Sequence, residues 1–446
     1  MKENESHLRV AFYTLGCKLN FAETSAIARA FQEAGYRRVE WDEPAEVYVI
    51  NTCTVTDNAD RRVRALARGV LRRCETARVV AAGCYAQVNP EELRRSDGID
   101  LVVGSADKFR IPELLRQHWD QLSGRRDKNA PPQVVCGALS PEVPYHGAYS
   151  LSERTRAFLK IQDGCDYRCS YCTIPLARGA SRSEPQESVV RNARTIVAAG
   201  IREIVLTGVN TGDWGRTAGK GETFLDLIRA LEDVEGLHRV RISSIEPNLL
   251  TDQILEHVAR SERFVPHFHI PLQSGCDAVL RDMRRRYLTP LYRRRIERIR
   301  ELMPEACIGA DVIVGFPTET DERFRQGCDF IRSLGLSYLH VFTYSERENT
   351  PAAGMPVSVP PAVRARRSRT LHGIGETLRA EFYRRHAGQT REVLLESENK
   401  DGMMFGFTDN YIKIALPWDE RLVGTLQNVR IGTRYAEGAV DGTIER

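Results

Sequence analysis

The stretch "GCDYRCSYC", residues 164–172, decides how this chain is read. Cys165, Cys169 and Cys172 fall within eight residues, spaced by three residues and then by two. A structural zinc site closes its tetrahedron with four ligands, commonly a C-x2-C pair joined to a second pair. Here the next cysteine is Cys276, far downstream. Three thiolates at this spacing suit three irons of a four-iron, four-sulfur cluster and leave the fourth iron open to an outside ligand. The zinc alternative needs a fourth donor, for which His267 or His269 in "HFHIPLQ" is available. Alternate histidines on a buried strand are more often packed or hydrogen-bonded, so the cluster is the stronger reading.

Working outward, the motif directly follows "RAFLKIQ" at 156–162, the first of six strand-like segments. The others are "EIVLTGV", "RVRISS", "HFHIPLQ", "CIGADVIVG" and "LHVFTY", with amphipathic helical segments between them. Such alternation predicts a full or partial (β/α) barrel whose chemistry sits at the carboxyl ends of its strands. A helix over 361–387, stopped by Gly388, closes it. Beyond that point short alternating strands predict a small β-barrel.

The N-terminal part alternates in the same way. "LRVAFYTLG", "EVYVINT", "ARVVAAG" and "DLVVG" read as strands, with helices over "AETSAIARAFQEAG" and 58–73. The expectation is a mostly parallel, doubly wound sheet. Residues from about 117 to 150 lose periodicity and carry "NAPPQ" and "SPEVPYHG", which predicts a linker. Cys17, Cys53 and Cys84 each follow immediately after a predicted parallel strand, separated by 36 and 31 residues. Any one of them alone reads as a small core residue. Loops at the carboxyl ends of neighbouring parallel strands converge, so the three together predict a shared metal site. Cys74, Cys136, Cys276, Cys307 and Cys328 have no such placement and are assigned to structure.

At 446 residues the chain exceeds one ordinary core, so two to four domains are expected. The polar start "MKENESHLRV" and the lack of a long apolar run predict a cytoplasmic protein with no membrane segment. In that compartment eleven cysteines point to metal or redox chemistry before disulfides. A net charge of +4, from 64 basic and 60 acidic residues, does not announce nucleic acid. The arginine runs at 61–73 and 284–300 hint at phosphate recognition, although each alone reads as a solvated helix face.

The motifs "TLGCKLN", "NTCTVTDNAD", "AAGCYAQ", "KIQDGCDYRCSYCTIPLARG", "HIPLQSG" and "DVIVGFPTET", in this order, resemble the radical S-adenosylmethionine (SAM) methylthiotransferase family. The resemblance runs from about residue 8 to the end and is nearest to its MtaB-type tRNA enzymes. It implies an N-terminal cluster domain over 8–120, a linker over 121–150, a partial (β/α)6 radical SAM barrel over 151–385 and a TRAM RNA-binding β-barrel over 386–446. Two details depart from the family pattern. Cys276 stands where serine is usual, and "RENT" at 347–350 replaces a glycine-containing segment.

The implied reaction adds a methylthio group to carbon 2 of N6-threonylcarbamoyladenosine at tRNA position 37, beside the anticodon. It consumes two SAM molecules and uses two 4Fe-4S clusters, one on Cys165, Cys169 and Cys172 and one on Cys17, Cys53 and Cys84. Carbon 2 of adenine is not acidic and offers no leaving group, so a cofactor-derived radical is the expected means of activating it. The SAM contacts implied are Tyr171, Gly208, Asn210, Ser244, Glu246, Gln273, Ser274 and Gly315. For each glycine a tight strand-to-helix turn explains the residue equally well. Arg178 suits either a ligand carboxylate or phosphate, or a local salt bridge. The implied partners are the tRNA anticodon loop and an electron-donating flavodoxin or ferredoxin-like protein. Among Phe405, Phe407, Tyr411 and Trp418 some are expected to stack on RNA and some to fill the small barrel. Three alternatives stand beside this reading. They are sibling enzymes acting on isopentenyladenosine, siblings acting on a ribosomal-protein aspartate, and a zinc-containing RNA-binding protein without activity.

Overall fold

The protein is described here from a computed structural model covering residues 8–54, 57–119, 131–140, 143–151, 155–216, 221–356 and 358–445. The chain divides into two compact units. One contains residues up to Ser150 together with 163–167 and 172–184, and the other contains the remainder.

The first unit is built on six parallel strands of three residues or more: β1 (Arg9–Thr14), β2 (Arg37–Val39), β3 (Val47–Thr52), β4 (Arg78–Gly83), β5 (Leu101–Val103) and β6 (Gln133–Val135). Their order is β2-β1-β3-β4-β5-β6. Alternation along each strand sends side chains to opposite faces. Val10, Val47, Val49, Val80 and Leu101 therefore pack with Ile27 and Phe31 of the helix Lys18–Glu33. Ala11, Tyr48, Ile50, Val79 and Ala81 pack on the other face with Val63, Ala67 and Val70 of the helix Asp57–Arg73. Burial on both faces explains why "VYVINT" and "RVVAAG" contain no exposed residue. The doubly wound expectation holds. The expected linker differs in one respect, because its residues 133–135 form the edge strand β6 beside β5. Isolated apolar residues at an edge carry too little periodicity to announce a strand. Residues 120–130 of that linker lie outside the described residues.

The second unit carries six barrel strands: β7 (Arg156–Lys160), β8 (Glu203–Thr207), β9 (Arg239–Ile242), β10 (His267–His269), β11 (Cys307–Val314) and β12 (Tyr338–Thr343). β7, β8 and β9 form one parallel sheet and β10, β11 and β12 another. Parallel bridges at Val240–Phe264 and Ser244–His269 continue the curvature from β9 to β10. Helices lie between the strands, several started by threonine N-caps such as Thr223, Thr251 and Thr320. The closing helix spans Pro361–Arg385. After it, β13 (Thr390–Lys400), β14 (Met403–Thr408), β15 (Lys413–Pro417), β16 (Leu426–Ala436) and β17 (Ala439–Ile444) close a barrel in the order β13-β14-β15-β17-β16.

This small barrel is more than an appendage. Arg241 donates to the Asp409 carbonyl (3.0 Å) and Arg156 to Glu396 (2.7 Å). Tyr411 stacks on His267 with ring centroids 4.1 Å apart. No helix among the described residues is long and apolar enough to cross a membrane.

Candidate metal centres and cofactor site

None of the eleven cysteines, all among the described residues, forms a disulfide. Cys17 begins the turn into the first helix, Cys53 directly follows β3, and Cys84 opens the short helix Cys84–Val88 after β4. Since β1, β3 and β4 are neighbours, all three cysteines stand at the carboxyl ends of adjacent parallel strands. Gly16 makes this convergence possible. Its φ is +105°, and a Cβ there would lie 2.8 Å from Cys53 Cβ and 3.0 Å from its Sγ. Buried polar side chains hold the loops in place. Asn20 Nδ2 donates to the carbonyls of Leu15 (2.7 Å) and Thr52 (3.1 Å), and the Tyr85 amide donates to Thr52 Oγ1 (3.2 Å).

Beside Cys84 lies a buried ionic network. Arg178 donates to Glu23 (3.0 Å), Asp163 (2.9 Å) and Asn20 Oδ1 (2.6 Å), and Lys108 Nζ reaches Glu23 at 2.6 Å. Arg178, Lys108 and Glu23 are each at most 2% exposed. Burial pushes the Cys84 thiol up, while Arg178 and Lys108 pull it back toward thiolate. Burial also opposes the Arg178 charge, but Cys84, Glu23 and Asp163 more than offset it, so the guanidinium stays charged. Of the two roles open to Arg178 in sequence, the structure assigns the local salt bridge.

In the second trio Gly164 is demanded by geometry: its φ is +70°, and a Cβ would meet the Ala180 carbonyl oxygen at 1.9 Å. The Tyr167 amide donates to Cys165 Sγ (3.4 Å). Cys169 is buried, which raises its thiol, and Arg285 opposes that shift by donating to Cys169 Sγ at 3.0 Å. Arg285 also pairs with Glu246 in a very short contact and reaches Tyr171 (3.4 Å) and Tyr287 (3.2 Å) hydroxyls. Sequence reasoning missed Arg285, which sits inside an arginine run that reads as a solvated face. The adjacent "Tyr-Leu" apolar pair, Tyr287 and Leu288, is the only local sign that this part of the run turns inward.

The residues expected to touch SAM stand on the same end of the barrel strands: Gly208 and Asn210 after β8, Ser244 and Glu246 after β9, Gln273 and Ser274 after β10, Gly315 after β11. They do not read alike. Asn210 is 4% exposed, and its side-chain Nδ2 and Oδ1 are buried with no hydrogen-bond partner. Gln273 holds φ +63° and buries an unpartnered Oε1. Strained or unsatisfied buried polar groups of this kind are features that a ligand seat would use. Gly208 and Gly315 instead have packing reasons, since a Cβ would lie 2.9 Å from Gln162 Oε1 and 2.4 Å from Arg364 Cγ respectively. Ser244 offers its carbonyl to the Thr211 amide and hydroxyl, and Ser274 Oγ accepts from the Cys276 amide (3.3 Å). At the two departures from the family pattern, Cys276 Sγ donates to Gln326, and Thr350 donates to the Arg347 carbonyl.

No three cysteine sulfurs among the described residues are gathered as tightly as a single ion draws its ligands. Among the described residues the His, Cys, Asp or Glu trio with donors gathered within 4.8 Å is His269, Asp311 and His340. The Cys17, Cys53 and Cys84 thiols are therefore spread wider than one tetrahedral zinc, with Zn–S of about 2.3 Å, would draw them.

Comparison with known proteins follows the same division. The uncharacterized protein family UPF0004 matches residues 9–104, and the radical SAM superfamily matches residues 159–331. The chain is 38% identical over 444 residues to the threonylcarbamoyladenosine tRNA methylthiotransferase MtaB of Bacillus subtilis, covering 98% of this chain and 97% of that protein. It is 37% identical to the Aquifex aeolicus protein of the same name, covering 91% and 96%. A tRNA-2-methylthio-N(6)-dimethylallyladenosine synthase of Acidothermus cellulolyticus is 34% identical, covering 86% of this chain and 76% of that protein. The solved radical SAM methyltransferase TsrM of Kitasatospora setae shares the fold, with a TM-score of 0.55, 15% identity and coverage of 78% and 77%. The zinc-protein alternative falls with these matches. The chain belongs to the radical SAM methylthiotransferases that modify tRNA, in their MtaB-type branch, and its cofactors are iron–sulfur clusters and SAM.

Proposed function

We propose that this enzyme adds a methylthio group to carbon 2 of N6-threonylcarbamoyladenosine at position 37 of tRNA, using two SAM molecules and two 4Fe-4S clusters. The observation that carries the two-cluster reading is the second cysteine trio, set on three neighbouring strand ends and braced by buried polar groups. The threonylcarbamoyl reading draws on near full-length similarity to the MtaB-named relatives. When bound, the clusters and SAM supply the radical and the sulfur that acid–base chemistry cannot provide at this carbon.

The chain's own residues have distinct tasks. Cys165, Cys169 and Cys172 hold the SAM-binding cluster, and Arg285 presents a charged donor to the Cys169 sulfur while fixing Glu246. Asn210 and Gln273 offer the polar atoms that orient SAM, with Tyr171, Gly208, Ser244, Ser274 and Gly315 shaping the same end. Cys17, Cys53 and Cys84 hold the sulfur-carrying cluster, with Arg178 and Lys108 beside it. On the small barrel, the four aromatics differ in their surroundings. Phe407 and Tyr411 stack on each other at 4.7 Å, Tyr411 and Trp418 pack against the core, and Phe405 lies under Lys413 Nζ at 4.2 Å. Phe405 with Lys413 is thus the pair suited to stacking and phosphate contact with the anticodon loop. The domain limits 8–120, 121–150, 151–385 and 386–446, a flavodoxin or ferredoxin-like electron donor and a cytoplasmic location complete the proposal.

The test is product analysis. Anaerobically reconstituted enzyme with reductant and SAM is given tRNA lacking the methylthio group, and nucleosides are identified by mass spectrometry. The 2-methylthio derivative of threonylcarbamoyladenosine is expected, together with about eight irons per chain. Conversion of the dimethylallyl nucleoside alone, or zinc in place of iron and sulfide, refutes the reading.

A further inference from the structure

The inner face of β10, β11 and β12 carries a polar trio that the cluster chemistry does not use. Leu339 packs toward the closing helix, where a Cβ on Gly375 would lie 3.3 Å from it. Alternation therefore places Tyr338, His340 and Phe342 on the opposite face. On that face Asp311 Oδ1 accepts from His269 Nε2 (2.9 Å) and His340 Nδ1 (3.3 Å). Burial alone would raise the Asp311 carboxyl, but the two imidazoles outweigh it and hold it well below the carboxylate range. The trio is only partly covered: the His340 side chain is 51% exposed. Phe342, two residues along the same strand face, is 42% exposed, the one aromatic among the exposed large hydrophobic residues described.

An exposed aromatic ring one side-chain spacing from a polar trio matches a splayed purine that carries a polar group. With Oδ1 engaged by both imidazoles, Asp311 Oδ2 remains as an acceptor, and the far nitrogens of His269 and His340 accept from a ligand when the rings are neutral and donate to a carboxylate when the rings are protonated. A threonylcarbamoyl substituent has ureido N–H groups and a hydroxyl to donate and a carboxylate to accept. A dimethylallyl group has none of these, and covering the trio with it would strip hydrogen bonds to water without replacing them. We propose that Phe342 stacks on the substrate purine and that His269, Asp311 and His340 select a polar, carboxylate-bearing N6 substituent on it. This rests on the substrate reading given above and names the residues that enforce it.

Three synthetic anticodon stem-loops test it, identical except for adenosine, N6-threonylcarbamoyladenosine or N6-dimethylallyladenosine at the target position. Affinities for the cluster-loaded enzyme are read by fluorescence anisotropy. The unaltered enzyme should prefer the threonylcarbamoyl loop by about tenfold or more, as one or two hydrogen bonds to charged groups imply. His340→Leu should reduce that preference to within about twofold by weakening that loop selectively. Phe342→Ala should weaken all three loops alike, because stacking does not read the substituent. Retained preference in His340→Leu, or an equal loss on all three loops, overturns the assignment. So does a preference abolished by chelator and accompanied by one fewer bound divalent metal in His340→Leu, which would make the trio a cation site. Failure of the substrate reading looks different: the unaltered enzyme would leave the threonylcarbamoyl loop unmodified while converting the dimethylallyl one.

Discussion

The two cysteine trios proposed to hold clusters are supplied by the chain in opposite ways. Cys165, Cys169 and Cys172 lie within eight residues of sequence, so their grouping is read from local spacing alone. Cys17, Cys53 and Cys84 are spread over 67 residues and stand at neighbouring strand ends because β1, β3 and β4 are parallel neighbours. Their electrostatic surroundings differ as well. Cys84 lies beside two cations, Arg178 and Lys108, which are themselves balanced by the buried carboxylates Glu23 and Asp163. Cys169 receives a direct guanidinium hydrogen bond from Arg285.

The largest effects separate the trios outright. Cys169→Ala should bring both reductive SAM cleavage and methylthio product to assay background. Cys53→Ala should retain SAM cleavage while losing product, because Cys53 is not among the three cysteines proposed to hold the SAM-binding cluster. Parallel measurement of 5′-deoxyadenosine and the methylthio nucleoside decides the matter. Full product from soluble Cys53→Ala protein would remove that residue from the metal site and end the comparison.

Next in size is the network beneath the dispersed trio. Arg178→Met leaves Glu23 and Asp163 with fewer countercharges in the interior, a change that costs about 3–5 kcal/mol. The urea midpoint should fall accordingly, and iron content should drop by about half, since only one of two clusters is affected. An unchanged midpoint would show that the network adds nothing to the fold.

Arg285 offers a subtler probe of the loop-borne trio. Replacing it by glutamine removes a positive charge from the Cys169 sulfur, and hydrogen bonds and charge at the sulfurs set cluster potentials. The reduction potential of that cluster should fall by roughly 50 mV, with the other cluster's signal unmoved, as followed by redox titration with electron paramagnetic resonance. A shift in both signals, or in neither, contradicts the contact described.

The smallest effects are expected where cysteines serve packing alone. Cys276→Ser and Cys328→Ala should keep full iron content and change stability by about 1 kcal/mol or less, seen as a small displacement of the melting curve. Loss of iron in either variant would enlarge the set of metal ligands beyond the two trios.

Much of this was legible before any fold was drawn. The contiguous trio, the six barrel strands and the doubly wound alternation follow from spacing and hydrophobic period, which are local properties of the chain. The dispersed trio was legible through one further step, that parallel strands deliver their ends to one edge. Other features were not accessible in this way. Arg285 looked like one more surface arginine, because burial of a charge depends on partners such as Glu246 that lie far away in sequence. The stacking of Phe407 and Tyr411 on each other and of Tyr411 on His267 joins residues about 140 apart and has no local signature. His269, Asp311 and His340 belong to three strands, and each alone is an ordinary strand residue. Sequence by itself determined the elements, their order and the thiols available for metal, since these depend on neighbours in the chain. Tertiary structure alone decided which charges are buried and which side chains share a face, because those depend on contacts that no local pattern encodes.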